Sequence, residues 1–353
     1  MFLHRIMRHA ALALLWLPAL ACAQSGTITG AGSSAASLVY QTWGDRFAAQ
    51  SHIGLDYAPV GSSAGLKRII ARDVGFGASD VAPDEATLRD NDLVLLPTVV
   101  TGAVPVVNLP AAVAGALRLD GPVLARLYMR EITRWNDPAI ARLNPGLALP
   151  DLPVTLVVRG DGSGTTYNFT DYLAKVSDAW RERFGVGKRI DWASGSVPAK
   201  GSSGVVAAVQ ASAGALGYVD YTYVLKHHLA AVRMKNRDGR FVAADLGSFR
   251  AALAASPWQS RGEFGTTLTE QPGADSWPIT MGTFVLLPRR VADPAQGAAL
   301  VRFFTWSFMH GDELAATAHF VRLPDAVQAK AYRALAQVTD AEGTPLAFGA
   351  LAQ

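Results

Sequence analysis

The chain of 353 residues has one cysteine, Cys22, and only 17% charged residues. A single thiol excludes an intrachain disulfide and any cysteine-built metal site. The formal net charge is +3, and Arg5 and Arg8 near the N-terminus supply two of those charges. What remains is no basic field, so a nucleic-acid partner is not expected. His227 and His228 are adjacent, cannot face one metal from one helix face, and have no His or Cys cluster to join. No metal is expected. The glycine-rich turns lack the P-loop lysine, and Gly160-Asp161-Gly162-Ser163-Gly164-Thr165 is not GxGxxG. Nucleotide binding is therefore not expected, and no cofactor is called for.

The chain also lacks an apolar run of the roughly 20 residues a membrane helix needs. The nearest approach, Ala10 to Leu20, follows Arg5 and Arg8 and precedes small residues at Ala19, Ala21 and Ala23. Residues 1–23 thus read as a secretory signal cleaved after Ala23, which would also remove Cys22. A competing reading takes ALAC as a lipid-attachment signal on Cys22, although Ala19 stands where a larger aliphatic residue is usual. Either reading exports the protein, with the bacterial periplasm as its expected location.

Half of the residues are apolar, which fits a compact globular protein. The length exceeds what one hydrophobic core supports, so two domains are expected. Alternating strand and helix patterns predict an α/β fold with mostly parallel sheets, whose ligands sit at the carboxyl ends of strands. From Leu93 to Leu109 the chain is almost wholly apolar, broken by Pro97, Gly102 and Pro105, and is expected to form two buried strands with a kink. Phe284 to Pro288 repeats the pattern of an apolar strand closed by Leu-Pro. The chain should therefore leave a first domain (24–108), build a second (109–279) and return to the first (280–353).

Four glycine- and hydroxyl-rich turns precede apolar-periodic segments. In the most informative, Val154, Leu156, Val157 and Val158 predict a short buried strand, Arg159 to Thr166 a turn, and Phe169, Leu173 and Val176 one face of a helix. That turn aims backbone N–H groups and the hydroxyls of Ser163, Thr165 and Thr166 at a helix N-terminus, and Arg159 adds a fork of donors. It reads as an anion seat, or as a plain capped turn beside a surface ion pair. Ser34 is placed to cap a helix carrying Val39, Trp43 and Phe47, Gly61 to Gly65 precede Leu66, Ile69 and Ile70, and Gly201 to Gly204 precede Val205, Val206 and Val209. Asp80 ends a strand beginning at Val74, either as a functional carboxylate or as a loop residue capping the following helix. Trp135, Trp258 and Trp277 are spread singly and read as packing residues. Gly61-Ser62-Ser63-Ala64-Gly65 also matches GxSxG, which would make Ser63 the nucleophile of a serine hydrolase, though no HGGG-type segment accompanies it.

Taken together, Gly30-Ala31-Gly32-Ser33-Ser34, Gly61-Ser62-Ser63, Gly75-Phe76-Gly77-Ala78-Ser79-Asp80 and Arg159-Gly160-Asp161-Gly162-Ser163-Gly164-Thr165 closely resemble, in order and spacing, the periplasmic phosphate-binding proteins of high-affinity phosphate ABC importers. The likeness extends over nearly the whole mature chain. It includes Trp135-Asn136-Asp137, Gly214 to Tyr218, and Trp277-Pro278-Ile279-Thr280. The resemblance implies a two-lobed α/β binding protein, class II in type, with a hinge of two crossing strands and no enzymatic activity. It implies a ligand set of Ser34 with the N–H of Ala35, Ser62, Asp80 as acceptor, and Arg159, Ser163, Gly164 and Thr165, with Asp161 holding Arg159. The implied partners are inorganic phosphate and the permease and ATPase subunits of the importer, and the chain is expected to act as a monomer. Ser34, Ala35 and Ala64 depart from the family's usual threonine, aromatic residue and glycine. The fourth turn, Gly201 to Gly204, carries no implied ligand role and reverts to a helix cap.

Overall fold

The computed structural model describes residues 26–347, so the predicted leader and Cys22 lie outside the described residues. Its main sheet has ten strands. Those that place the site are β1 (Thr27–Gly32), β2 (Gly54–Ala58), β3 (Phe76–Ser79), β4 (Leu93–Val107), β5 (Thr155–Arg159), β6 (Val197–Ala199), β7 (Ala215–Asp220) and β8 (Thr280–Pro288). They run in the spatial order β2-β1-β3-β8-β4-β7-β5-β6. The outer pairs β1 with β2, β1 with β3, β5 with β6 and β5 with β7 are parallel. The two central strands pair antiparallel with each other and with their outer neighbours.

Residues Leu93 to Val107 form one strand of 15 residues, not the expected two with a kink. Proline in a central strand is tolerated only where no ladder bond is required of it. Pro97 meets that condition by lying opposite Phe284, where the β4–β8 register shifts between Thr283 and Phe284. At Gly102 the missing Cβ makes room for the Phe249 ring, which an added methyl would meet at 2.3 Å. β4 pairs with β8 over Leu93 to Gly102 and with β7 over Ala103 to Val107. One strand therefore belongs to both halves of the sheet. Every residue of β3, β7 and β8 is buried, as expected of strands covered on both faces, which show no alternation of apolar and polar residues.

Helices follow the glycine turns as the periodicities predict: α1 (Ser37–Ser51), α2 (Ser62–Ile70), α3 (Glu85–Asp90), α4 (Gly164–Val176) and α5 (Gly201–Ala211). Their caps correct three expectations. α1 starts three residues after Ser34, with Ala36 as N-cap and no side-chain cap. α3 is capped by Asp84, which accepts from the Thr87 amide at 2.6 Å, so Asp80 is not a cap. α5 has Lys200 at its N-cap and likewise no side-chain cap, so its serines do not cap it. Of the four helices that follow the glycine-rich turns, α4 has a side-chain cap, with Ser163 accepting from the Thr166 amide at 3.1 Å. Trp135, Trp258 and Trp277 are packing residues: all three are buried, and each indole N–H donates to a backbone carbonyl.

Candidate functional site

β1, β3 and β5 all end at one cleft, and α2, α4 and α5 point their N-termini into it. Arg159, the last residue of β5, is 2% exposed. Its Nε donates to Asp161 Oδ1 at 2.7 Å and its Nη2 to Oδ2 at 2.6 Å. The guanidinium is thus gripped along one edge, and among the described residues Nη1 has no partner. Burial pushes the Asp161 carboxyl up, but the hydrogen bonds and charge of Arg159 outweigh it and hold the group below its ordinary value. Asp161 stays ionised, and so keeps the arginine aimed.

Ser62 opens α2 and is 1% exposed. Its Oγ accepts from the amide of Asp80 at 3.3 Å and from the amide of Gly164 at 3.1 Å. Two N–H groups fill its lone pairs and leave its proton to donate. The approach is close enough to require glycine at position 164, where an added Cβ would lie 2.6 Å from Ser62 Oγ and 2.7 Å from Asp80 Cβ. The Gly164 amide, expected among the anion donors, is spent on Ser62 in this structure. Thr165 Oγ1 is buried without a hydrogen-bond partner, and a buried hydroxyl left unpaired is costly unless something else pairs with it. The Ala35 N–H is likewise without a partner among the described residues, and Ala35 is fully buried.

Asp80 directly follows β3 and is 3% exposed. Ser33 donates to its Oδ1 at 2.5 Å and Thr283 Oγ1 to the same oxygen at 3.4 Å. Among the described residues Oδ2 accepts no hydrogen bond. Burial raises the group to about 6, against the pull of the Ser33 hydroxyl, the Arg159 charge and the hydroxyls of Thr283 and Ser62. Asn168, one turn into α4, donates to the Asp80 carbonyl at 2.8 Å and ties it to the opposite wall.

The residues expected at the site lie on these elements or in the turns that join them, but the contacts differ from the expectation in two places. Ser34 does not cap α1; its Oγ lies 2.9 Å from Ser202 Oγ, with both side chains buried. The fourth turn is accordingly part of the cleft, since the Gly201 amide also donates to Asp161 Oδ1 at 3.0 Å. Ser33, Thr283, Asn168 and Ser202 were not singled out from the sequence. Ser33 and Ser202 stand in turns already noted for their hydroxyls, and Asn168 falls four residues after Gly164 on one helix face. Thr283 lies in an apolar strand and gave no signal.

The hydrolase reading fails on geometry. The strained positive φ of this turn falls on Gly61 (φ 93°), not on Ser63, and among the described residues no histidine bonds Ser63. The Ser63 side chain instead packs on Gly162, where an added Cβ would meet its Oγ at 2.3 Å. Among the described residues no three His, Cys, Asp or Glu side chains converge as metal ligands would. Without a metal, the cleft offers hydroxyls, amides, one aimed guanidinium and one carboxylate, which together can desolvate a small anion carrying a proton.

Comparison with known proteins agrees with this architecture. The family model described as a PBP superfamily domain matches residues 20–302. The phosphate-binding protein PstS of Pasteurella multocida is 40% identical over 316 residues, covering 90% of this chain and 92% of that protein. The protein of the same name from Haemophilus influenzae is 38% identical over 311 residues, covering 88% and 93%. Among solved structures, a periplasmic phosphate-binding protein (PfluDING) bound with phosphate superposes with a TM-score of 0.74 at 20% identity, covering 92% of this chain and 97% of that one. The fold thus agrees with a solved binding protein, and the identity extends along nearly all of each curated relative, so the chain belongs to the PstS phosphate-binding protein family within the PBP superfamily.

Proposed function

We propose that this protein captures inorganic phosphate in the cleft between two lobes and delivers it to an ABC-type importer. It does no chemistry on the ligand. The observation that carries this reading is the pairing of an aimed, buried Arg159 with a buried Asp80 whose hydrogen bonds from Ser33 and Thr283 both fall on Oδ1. Phosphate at neutral pH has negative oxygens that need donors and at least one proton that needs an acceptor. Arg159, the hydroxyls of Ser34, Ser62, Ser163 and Thr165 and the Ala35 amide supply the first need, and Asp80 the second. A fully ionised oxyanion would set an oxygen against the carboxylate with no proton between them.

The lobe boundary fits best where β4 changes partner, between Gly102 and Ala103, with the return crossing at Ile279 and Thr280, where Ala103 N–H donates to the Ile279 carbonyl at 2.9 Å. The names of the relatives support phosphate as ligand. The permease and ATPase follow as partners, and the periplasm as location. No helix among the described residues is long and apolar enough to cross a membrane. Calorimetric titration of the mature chain with phosphate and with sulfate tests the reading. One phosphate per chain, with a dissociation constant at or below about 1 μM, is expected; absence of heat with phosphate would overturn it.

A further inference from the structure

Ser34, one of the anion donors named above, meets the far wall of the cleft through its side chain: its Oγ lies 2.9 Å from Ser202 Oγ, across 168 residues of chain. We propose that Ser202 is a positioning residue for the anion site, which orients the Ser34 hydroxyl and latches the closed cleft. The inference rests on the phosphate reading above.

Three observations carry it. Ser202 is 1% exposed, and its hydroxyl is not spent on capping α5, which has no side-chain cap. The start of α5 is also held in place, because the Gly201 amide donates to Asp161 Oδ1, the oxygen that receives Arg159 Nε. The carboxylate that aims the arginine therefore also fixes the height of Ser202 above the cleft. Finally, Tyr223 Oη, from the same side as Ser202, reaches the Ser34 carbonyl at 3.4 Å. Ser34 is thus approached from across the cleft at both its side chain and its backbone.

Hydroxyl chemistry then sets the direction. Ser34 has one proton and two lone pairs. If it donates to Ser202, nothing is left for an anion; if Ser202 donates to it, its own proton is free to point at an anion oxygen. A bound anion demands a donor and so selects the second arrangement, in which the two hydroxyls form a chain that strengthens both bonds. Because the serines sit on opposite walls, the contact exists only when the cleft is closed. Its contribution belongs to the lifetime of the complex and not to the encounter.

The test follows phosphate release from the full mature chain by stopped flow, using inorganic phosphate as probe. Ser202→Ala should release phosphate about three- to tenfold faster, as loss of one net hydroxyl hydrogen bond predicts, with the association rate unchanged. Ser202→Thr, which keeps the hydroxyl, should recover most of the lifetime. In a double-mutant cycle, Ser34→Ala with Ser202→Ala should release no faster than Ser34→Ala alone. The ligand-free melting temperature of Ser202→Ala should match that of the parent, because a purely structural serine would lower it. Release at the parental rate, or full additivity in the cycle, overturns the latch alone. A parent that takes up no phosphate overturns the functional reading and the latch together.

Discussion

The Oγ of Ser62 accepts simultaneously from the amides of Asp80 and Gly164, at 3.3 and 3.1 Å. One hydroxyl at the start of α2 thereby bridges the end of β3 on its own side and the first turn of α4 on the other. The bridge leaves no room for a side chain at position 164, because an added Cβ would lie within 3 Å of Ser62 Oγ, Asp80 Cβ and the Asp80 amide. Two of these atoms are not the ends of flexible side chains, so the walls must part. Gly164→Ala should fold normally, since alanine is the better helix former at this position. It should weaken phosphate binding at least about tenfold, and small-angle scattering should show no compaction when phosphate is added.

Arg159→Ala removes the buried cation aimed into the cleft and leaves the partly buried Asp161 without its guanidinium partner. Phosphate binding should weaken by roughly 2 to 5 kcal/mol, the range seen when one member of a buried charge pair is removed. Arg159→Lys should restore only part of this, because an ammonium cannot keep both Asp161 oxygens and serve the anion. Calorimetry on the three proteins decides it, with circular dichroism to establish that each is folded.

Asp80→Asn keeps the shape but removes the charge and can turn an N–H₂ toward the ligand. The variant should keep much of its affinity for phosphate and lose its rejection of sulfate, a change of roughly thirtyfold or more in discrimination. The parent should show the same relaxation with acid. With Asp80 raised to about 6 by burial, protonation near and below that pH turns the acceptor into a donor. Sulfate titrations at several pH values should therefore show binding growing as pH falls, and no such trend in Asp80→Asn.

Asp220, at the end of β7, accepts from the hydroxyls of Thr101 and Thr222 and from the Thr222 amide, and burial raises it to about 7 from 3.8. A carboxyl that binds its proton more tightly when folded contributes stability that is present below its unfolded value and lost as pH rises through the folded one. In the ligand-free protein this loss should run from about pH 4 to pH 7, with a magnitude on the order of 2 to 4 kcal/mol. Urea unfolding of Asp220→Asn should show a flatter pH dependence than the parent across that window, whatever its absolute stability. A slope equal to the parent's would remove Asp220 as its source.

Much of this was legible in the chain because turn chemistry is local. Glycine frees the backbone, a hydroxyl follows and an apolar period resumes, so the three-dimensional site lies in four short words around Ser34, Ser62, Asp80 and Arg159. What stayed hidden was non-local. The sequence around Ser34 offers a helix cap, and only the fold brings Ser202 across to take its hydroxyl. Pro97 argued for a strand break, and only the register shift opposite it shows why the strand continues. Thr283 is silent in its apolar strand until β8 lies beside β3 and places its hydroxyl against Asp80.

The passage of β4 through both halves of the sheet bears on the thermodynamics of closure. At the crossing, Ala103 donates to the Ile279 carbonyl and accepts from the Trp277 indole at 3.0 Å, so the linkers are bonded ribbon instead of loop. On the two-lobed reading proposed above, closure flexes that ribbon and orders no loop at the crossing. Ordering a loop would cost about 1 to 2 kcal/mol for each residue fixed. With that entropy already surrendered during folding, less of the contact energy at Arg159 and Asp80 is diverted to ordering the chain.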